Sequence, residues 1–530
     1  MVGCDRRYQR KVMRGDDMRS SLPSPPPNRW RNLGDLIDRG GDLSRPALID
    51  LSTAPPRVLT HAEADRLING VARFLTDRGL KRGDRVAILS SNRAEVLLSY
   101  FGIMRAGFIA VPMNVKLPRD MIDYVVTDSG ALFAFTDRAN RPLVQGAVTF
   151  LDFDDDGPSG FHAAITPCDF ATVPMAEGEI AQMLYTSGST GRPKGVPLSH
   201  SGQLWSLDMR TSDGTRREDQ RYLIAQPLFH MNGLFSAKTA FATNASIVLM
   251  PAFDVRPYVD AIATYDVTAL SSVPTMFARI VKDADYVASR DMTSLKRIMM
   301  GSAPTTATLF SSVAALFPQA TLVLTFGATE TGPAIFGPHP DGRPTPPVSL
   351  GTPVPGTQVR LVDGPDADEG VLWVRNPAIM PGYHRKPELT AAVLKDGWYV
   401  TGDILRRDAE GFYYFVGRAD DMFVCGGENI YPVEVERLLE RHPGVQQAAV
   451  VPLPDAERGQ MPVAFLVPKP GARLSAAEVK TFTLENGPAY QHPRRIALVS
   501  ELPWAGTNKI DRAALKAEAL RRESEQRWAS

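Results

Sequence analysis

The sequence predicts an α/β protein: a large N-terminal domain of two α/β layers with a small β-rich subdomain, then a separate, smaller α+β C-terminal domain. Three observations carry this. Helical stretches alternate with short β-branched or apolar runs from Leu33 to about Phe150, and again from about Tyr222 to Phe326. Between about Pro347 and Tyr414, strand-like segments are punctuated by the turn dipeptides Asp363-Gly364, Glu369-Gly370, Asp396-Gly397 and Glu410-Gly411. After Arg418 the texture changes to helix, strand, strand, helix and a charged terminal helix. Simple length arithmetic on 530 residues gives three or four structural units.

Taken in order, residues 1–28 are rich in arginine and then in proline (Pro23, Pro25, Pro26, Pro27) and lack the apolar core of a secretory signal, so they read as a disordered leader. Arg85 to Leu89 and Phe108 to Pro112 are strands of a first parallel layer. The apolar run from Val96 to Met113 is interrupted by Gly102, Arg105 and Gly107, which favours a buried helix plus a strand over a membrane span. Strands of the second layer are expected at Tyr222 to Gln226, Ala245 to Met250, Ala269 to Val273, Arg297 to Met300 and Thr321 to Phe326. The boundary between the two domains is set between residues 419 and 420.

Composition narrows the function. With 44% hydrophobic and 22% charged residues the chain reads as a soluble globular protein. Its 59 basic and 59 acidic residues cancel, so no global field recruits nucleic acid or an anionic membrane, and a small-molecule substrate is expected. Three scattered cysteines, Cys4, Cys168 and Cys425, make neither a disulfide framework nor a metal cluster, which favours a reducing compartment and, by default, the cytoplasm.

Four clusters carry chemistry. Thr186-Ser-Gly-Ser-Thr-Gly-Arg-Pro-Lys194-Gly195 offers hydroxyls, glycines that let backbone N–H groups approach phosphate, and a cation. It is not a Walker A loop, because Pro193 and Gly195 flank the lysine. Taken alone it is also compatible with a flexible connector. Thr325-Phe-Gly-Ala-Thr-Glu330 ends a predicted strand with small residues and a carboxylate suited to a nucleotide and Mg²⁺, or to a plain solvated turn. Asp403 in Trp398-Tyr-Val-Thr-Gly-Asp403 and Arg418 in Gly417-Arg-Ala-Asp-Asp421 make either a ribose site or a surface ion pair. Asn508-Lys509 by itself is an exposed lysine.

In this order the clusters resemble the acyl-CoA synthetase branch of the adenylate-forming enzymes, which includes aryl- and fatty-acyl-CoA ligases, over roughly residues 30 to 515. The matching runs include Gly417-Arg-Ala-Asp-Asp-Met-Phe-Val-Cys-Gly-Gly-Glu-Asn-Ile-Tyr-Pro432. The resemblance implies an ATP-dependent, AMP-forming ligase: a carboxylate attacks the α-phosphate, pyrophosphate leaves, and a thiol, that of coenzyme A, then displaces AMP. It implies that Thr186, Ser187, Gly188, Ser189, Thr190 and Lys194 hold the β- and γ-phosphates and that Glu330 binds Mg²⁺. It places Ser302, Ala303, Pro304, Thr325, Phe326, Gly327, Ala328 and Thr329 around the adenine, and Asp403 and Arg418 on the ribose. Lys509 matches the mobile catalytic lysine, His230 the gate beside the acyl carboxylate, and Asp420 the hinge of the rotating C-terminal domain. Gly426 and Gly427 match the pantetheine tunnel. Where many relatives carry a lysine this chain has Gln491, so Arg494, Arg495 or Arg105 is left to meet a CoA phosphate.

The substrate is read as an aromatic acid of hydroxycinnamate or benzoate type, with Met231, Phe326 and Met276 as flat apolar wall and Gly301, Gly327 and Ala328 leaving a slot. Asn232 is available to a ring substituent. Short and medium-chain fatty acids are the alternative, as is adenylation for a carrier protein. Against an α-amino acid stands His230-Met-Asn-Gly233, with no acid for an ammonium group. A nucleotide-binding regulator without catalysis and a luciferase-like oxygenase complete the options, and the oligomeric state is open, a dimer included.

Overall fold

The computed structural model describes residues 30–143, 148–186, 192–211, 217–425, 428–504 and 510–529. The leader, Ser187 to Thr190, Gly426-Gly427 and Lys509 lie outside the described residues.

Two largely parallel sheets form the body. The larger runs Thr321–Thr325, Arg297–Gly301, Ala269–Ser272, Arg221–Ile224, Ser246–Leu249, Pro46–Asp50 and Arg57–Thr60, with only the last pair antiparallel. Every residue of Ser246–Leu249 and Ala269–Ser272 is buried, as expected for strands covered by helices on both faces. The second sheet runs Thr149–Asp152, Ala131–Thr136, Arg85–Leu89, Ile109–Pro112, Ile180–Thr186 and Lys194–Ser199, again parallel except for the final hairpin. The helices His61–Asp77 and Ala94–Arg105 pack in the main core with both sheets. The first begins with a capping box, Thr60 accepting from Glu63 N–H and the Glu63 carboxylate accepting from Thr60 N–H. The run from Val96 to Met113 is the expected buried helix plus strand, and among the described residues no helix is long and apolar enough to cross a membrane.

The small antiparallel sheet contains Gln358–Asp366, Glu369–Arg375, Trp398–Arg407 and Leu394–Lys395, and Tyr413–Arg418 pairs with Trp398–Arg407. Two of the four turn signals act as expected: Asp396 and Gly397 both take positive φ between paired strands, and Gly411 turns the chain into Tyr413–Arg418. The other two fall inside strands. Asp363 adopts φ +58° where the ladder slips between Val362 and Asp366, so the Asp-Gly pair makes a bulge and not the hairpin turn.

The last sheet belongs to the C-terminal α+β domain. Val445–Asp455 and Gly459–Pro468 form a long hairpin flanked by Phe423–Cys425, Glu428–Ile430 and the parallel strand Arg495–Leu498. The helices Pro432–Glu440, Ala476–Asn486 and Arg512–Ser524 cover it. The three short strands carried no visible alternation in the sequence.

Candidate active site

A cleft of about 1360 Å³ opens outside the carboxyl ends of the parallel strands of the larger sheet, the general location of ligands in open α/β sheets. One end of it is built by the hairpin of the second sheet. Thr186 and Lys194 are directly paired across the antiparallel strands, so both stand at the mouth of the loop between them. The Lys194 ammonium donates to the Tyr383 phenol oxygen at 2.7 Å and stands 3.9 Å from Glu330 Oε1. Tyr383 in turn donates to Glu330 Oε1 at 2.8 Å. Burial pushes the Lys194 amine below the ordinary lysine range, opposed by the Glu330 carboxylate. Burial also pushes the Tyr383 phenol up, so it stays a donor. Thr186 Oγ1 is buried and has no hydrogen-bond partner among the described residues, as a group meant for a ligand oxygen would be.

The adjoining wall, where the nucleotide is expected, is made by two adjacent strands. Gly301 faces Thr325 in register at their ends, and a Cβ on Gly301 would lie 2.1 Å from Thr325 Oγ1. Glycine is required there by close approach. Ser302, Ala303 and Pro304 leave the first strand and Phe326 to Thr329 leave the second, and all of them line the cleft together with Glu330. Ser302 holds φ +65°, a left-handed backbone for a residue with a side chain. At Gly327 a Cβ would meet the Gly332 carbonyl at 2.6 Å. Asp403 and Arg418, fifteen residues apart in sequence, are directly opposed across the small sheet, and Arg418 donates to Asp403 at 2.8 Å. Arg418 also donates to Asp420 at 2.8 Å. Burial alone would raise Asp420, but that bond and the guanidinium charge hold it below the usual carboxylate range.

The wall expected to take the acyl group follows the helix Met231–Ala242, which His230 precedes as N-cap, its ring 4.5 Å from that of Phe229. His230, Met231 and Asn232 line the cleft. The Asn232 amide accepts from Ser271 at 2.6 Å and donates to Ser302 at 3.2 Å, so it ties the helix to two strand ends. Its expected freedom to read a ring substituent is thereby reduced to one lone pair and one N–H.

Three assignments are corrected. Met276 is 2% exposed, packs with Phe277 and Ile280 in the core beneath the sheet and receives the Ser272 hydroxyl on its sulfur at 3.0 Å, so it does not line the cleft. The helix Pro274–Lys282 turns that face inward. Arg105 is fully buried, 2.7 Å from the Asp65 carboxylate and 3.4 Å from that of Asp35, and it donates to Asn69 and the Gly34 carbonyl. It fastens the entering chain to the first two helices and is out of reach of a CoA phosphate. Gly301 supports the slot from beneath Thr325 and is not part of its lining.

Near the expected thiol channel, Cys425 is buried at the end of its strand. Gln491 donates to Glu434 at 3.2 Å, Arg495 is paired with Glu523 at 3.1 Å, and Arg494 faces His492 at 3.3 Å. Tyr383, which no motif singled out, joins Lys194 and Glu330 from the segment after Pro381-Gly382, its ring packed in the main core. No group of three or more metal-ligating side chains occurs among the described residues. A lone Glu330 still suits Mg²⁺, which binds through one or two carboxylates plus phosphate oxygens and keeps several waters.

The hairpin ending at Thr186 and Lys194, the paired strand-end turns, the Asp403–Arg418 pair and the helix after His230 thus border one cleft. Residues 40–384 match the model of the AMP-binding enzyme family and residues 434–509 that of the AMP-binding enzyme C-terminal domain, and the chain belongs to this family. It is 33% identical over 479 residues to a feruloyl-CoA synthase of an Amycolatopsis species, covering 88% of this chain and 94% of the relative. It is 32% identical over 480 residues to the fatty acid–[acyl-carrier-protein] ligase ScoC of Streptomyces coeruleorubidus, covering 87% and 91%. The crystal structure of the anthranilate CoA ligase AuaEII in complex with anthranoyl-AMP superposes with a TM-score of 0.84 at 28% identity, over 93% of this chain and 98% of that one.

Proposed function

We propose that this ligase activates an aromatic carboxylic acid with ATP and transfers the acyl group from its adenylate to coenzyme A. The observation that carries the reading is the alignment, in one cleft, of the Lys194–Tyr383–Glu330 cluster, the Asp403–Arg418 pair and the slot bounded by His230, Met231 and Phe326. The first holds the leaving pyrophosphate, the second orients the nucleoside, and the third presents a carboxylate to the α-phosphorus between them. Glu330 would hold the Mg²⁺ that offsets phosphate charge. In the same reading Lys509 meets the charge that builds in the first transition state, Gly426 and Gly427 line the pantetheine path, and residues 420–530 rotate about Asp420.

Small residues at Gly327 and Ala328 beside Phe326 favour a flat ring. The names of the feruloyl-CoA synthase and the anthranilate CoA ligase agree with this, whereas that of ScoC keeps a fatty acid and a carrier-protein acceptor as the second reading. A soluble cytoplasmic location follows from composition. The test is AMP release with ferulate, p-coumarate, benzoate, hexanoate and octanoate, with CoA present or absent. Selective release with the aromatic acids, dependent on CoA, is expected; a preference of about tenfold, 1.4 kcal/mol, for either fatty acid overturns the aromatic reading.

A further inference from the structure

Pro227 brings no N–H to the turn that leads into His230, and the Gln226 carbonyl before it and the Leu228 N–H after it must find partners outside the turn. Both find the same side chain. Asn92 Nδ2 donates to the Gln226 carbonyl at 2.9 Å, and Asn92 Oδ1 accepts from the Leu228 N–H at 2.9 Å. Asn92 Nδ2 also donates to the Met250 carbonyl at 3.2 Å, where the strand Ser246–Leu249 has ended. The carboxamide thus stands in for a neighbouring strand just past the ends of Arg221–Ile224 and Ser246–Leu249. These partners fix its orientation, because the flipped amide would set N–H against N–H and oxygen against two carbonyls. Asn92 is 5% exposed, and Gln226, Leu228 and Met250 are buried with it.

The clamp is itself held from both sheets. Asn92 lies between the strand Arg85–Leu89 and the helix Ala94–Arg105. On one side the Asp137 carboxylate, just past Ala131–Thr136, accepts from the Ser90 hydroxyl at 2.9 Å and the Ser91 N–H at 3.0 Å, which fastens the segment to the second sheet. On the other the Asp50 carboxylate, at the end of Pro46–Asp50 in the larger sheet, accepts from the Ala94 N–H at 2.7 Å. The turn it grips continues into the cleft wall. The His230 N–H donates to the Pro227 carbonyl at 3.1 Å, and a Cβ on Gly233 would lie 3.1 Å from the Gln226 carbonyl oxygen and 3.2 Å from that of Pro227. The first turn of Met231–Ala242 is therefore seated directly on these carbonyls, and a shift of the turn moves His230 and Met231, which line the cleft. Asn92 does not border the cleft and can act only through them.

We propose that Asn92 is a positioning residue for acid activation: by gripping the turn from Gln226 to His230 it sets where His230 and Met231 meet the acid, and it leaves the binding of ATP untouched. This rests on the assignment of that wall to the acyl group and adds the residue behind the wall that sets its place.

Two substitutions separate positioning from packing. Asn92→Asp keeps the volume and the acceptor for Leu228 but turns a carboxylate oxygen onto two carbonyl oxygens, whereas Asn92→Ala leaves three buried backbone groups without this partner. In the full-length enzyme, KM for the acid in AMP release should rise at least about tenfold in both variants and more in Asn92→Asp, while KM for ATP stays within about threefold of the parent. A packing role predicts the reverse order, with the aspartate variant close to the parent. That order, or equal rises in KM for acid and ATP, overturns the proposal. Hydrogen exchange over Ala225 to Asn232, measured without substrate, is the second readout. The Leu228 N–H should exchange at least about tenfold faster in Asn92→Ala, with the strand Ser246–Leu249 unchanged. Unaltered exchange at Leu228 overturns the clamp. If the parent releases no AMP with any acid, the ligase reading fails, and the exchange result alone decides whether Asn92 holds the turn. If neither variant folds, Asn92 serves the whole molecule and the proposal falls.

Discussion

Tyr383 donates to Glu330 across 53 residues of sequence while accepting from Lys194, so one phenol links the lysine after the phosphate loop to the acid of the strand-end turn. The two charged groups are held apart at 3.9 Å with a neutral bridge between them, leaving both directed at the same space.

Removing that bridge should misplace both. Tyr383→Phe takes away two hydrogen bonds to ionised groups, each an effect of about 1.5–3 kcal/mol, and KM for ATP should rise by at least roughly tenfold. KM for the acid should change little. Steady-state kinetics with each substrate varied in turn decides it, and equal shifts in both would remove Tyr383 from the phosphate end.

The Lys194 amine sits below the ordinary lysine range because burial disfavours its charge. Its cation is therefore lost at lower pH than that of an exposed lysine, and the affinity for ATP should fall as pH rises through that interval. Lys194→Arg keeps the charge and should flatten the alkaline rise in KM for ATP. Parallel profiles for the two proteins would show that another group titrates.

Arg105→Met should act on stability and not on catalysis. It removes the buried cation from Asp35 and Asp65 and leaves them to Arg39 alone, an effect of at most about 3–5 kcal/mol, and should lower the melting temperature accordingly. KM for CoA should be that of the parent; a selective rise in it would restore the phosphate contact that the structure denies.

Gly301→Ala forces a methyl to within 2.1 Å of Thr325 Oγ1 and 2.6 Å of its carbonyl oxygen. Overpacking of this kind amounts to about 1–3 kcal/mol, and because both strand ends turn into the nucleotide wall, adenylate formation should fall together with the melting temperature. A stable variant with full activity would mean the two strands separate without consequence.

Lys509→Ala should abolish formation of the adenylate and spare CoA attack on a supplied acyl-adenylate, since the lysine charge is needed only where the carboxylate meets the α-phosphate. Equal loss in both half-reactions, measured separately, would refute this division.

The sequence determined the chemistry that stays local. The hydroxyl and glycine loop, the turn ending at Glu330, and the acid and arginine of the small sheet lie in short local runs whose order along the chain carries the resemblance to the adenylate-forming enzymes. The strands expected from short apolar runs between helical stretches lie within a residue or two of those positions, whereas Pro46–Asp50, Arg57–Thr60, Ala131–Thr136, Thr149–Asp152 and the hairpin of Ile180–Thr186 with Lys194–Ser199 were not singled out. Tertiary structure decided what depends on contacts between distant segments. Met276 and Arg105 carry plausible side chains in plausible neighbourhoods, yet helix rotation turns the first into the core and two aspartates claim the second. Tyr383 meets Lys194 and Glu330, and Asn92 meets Gln226 and Leu228, only after the sheets and the loop before Pro387 have packed. A linear pattern states which groups are available; which of them share a cavity is set by packing, and packing is where side chains hundreds of residues apart acquire a common environment.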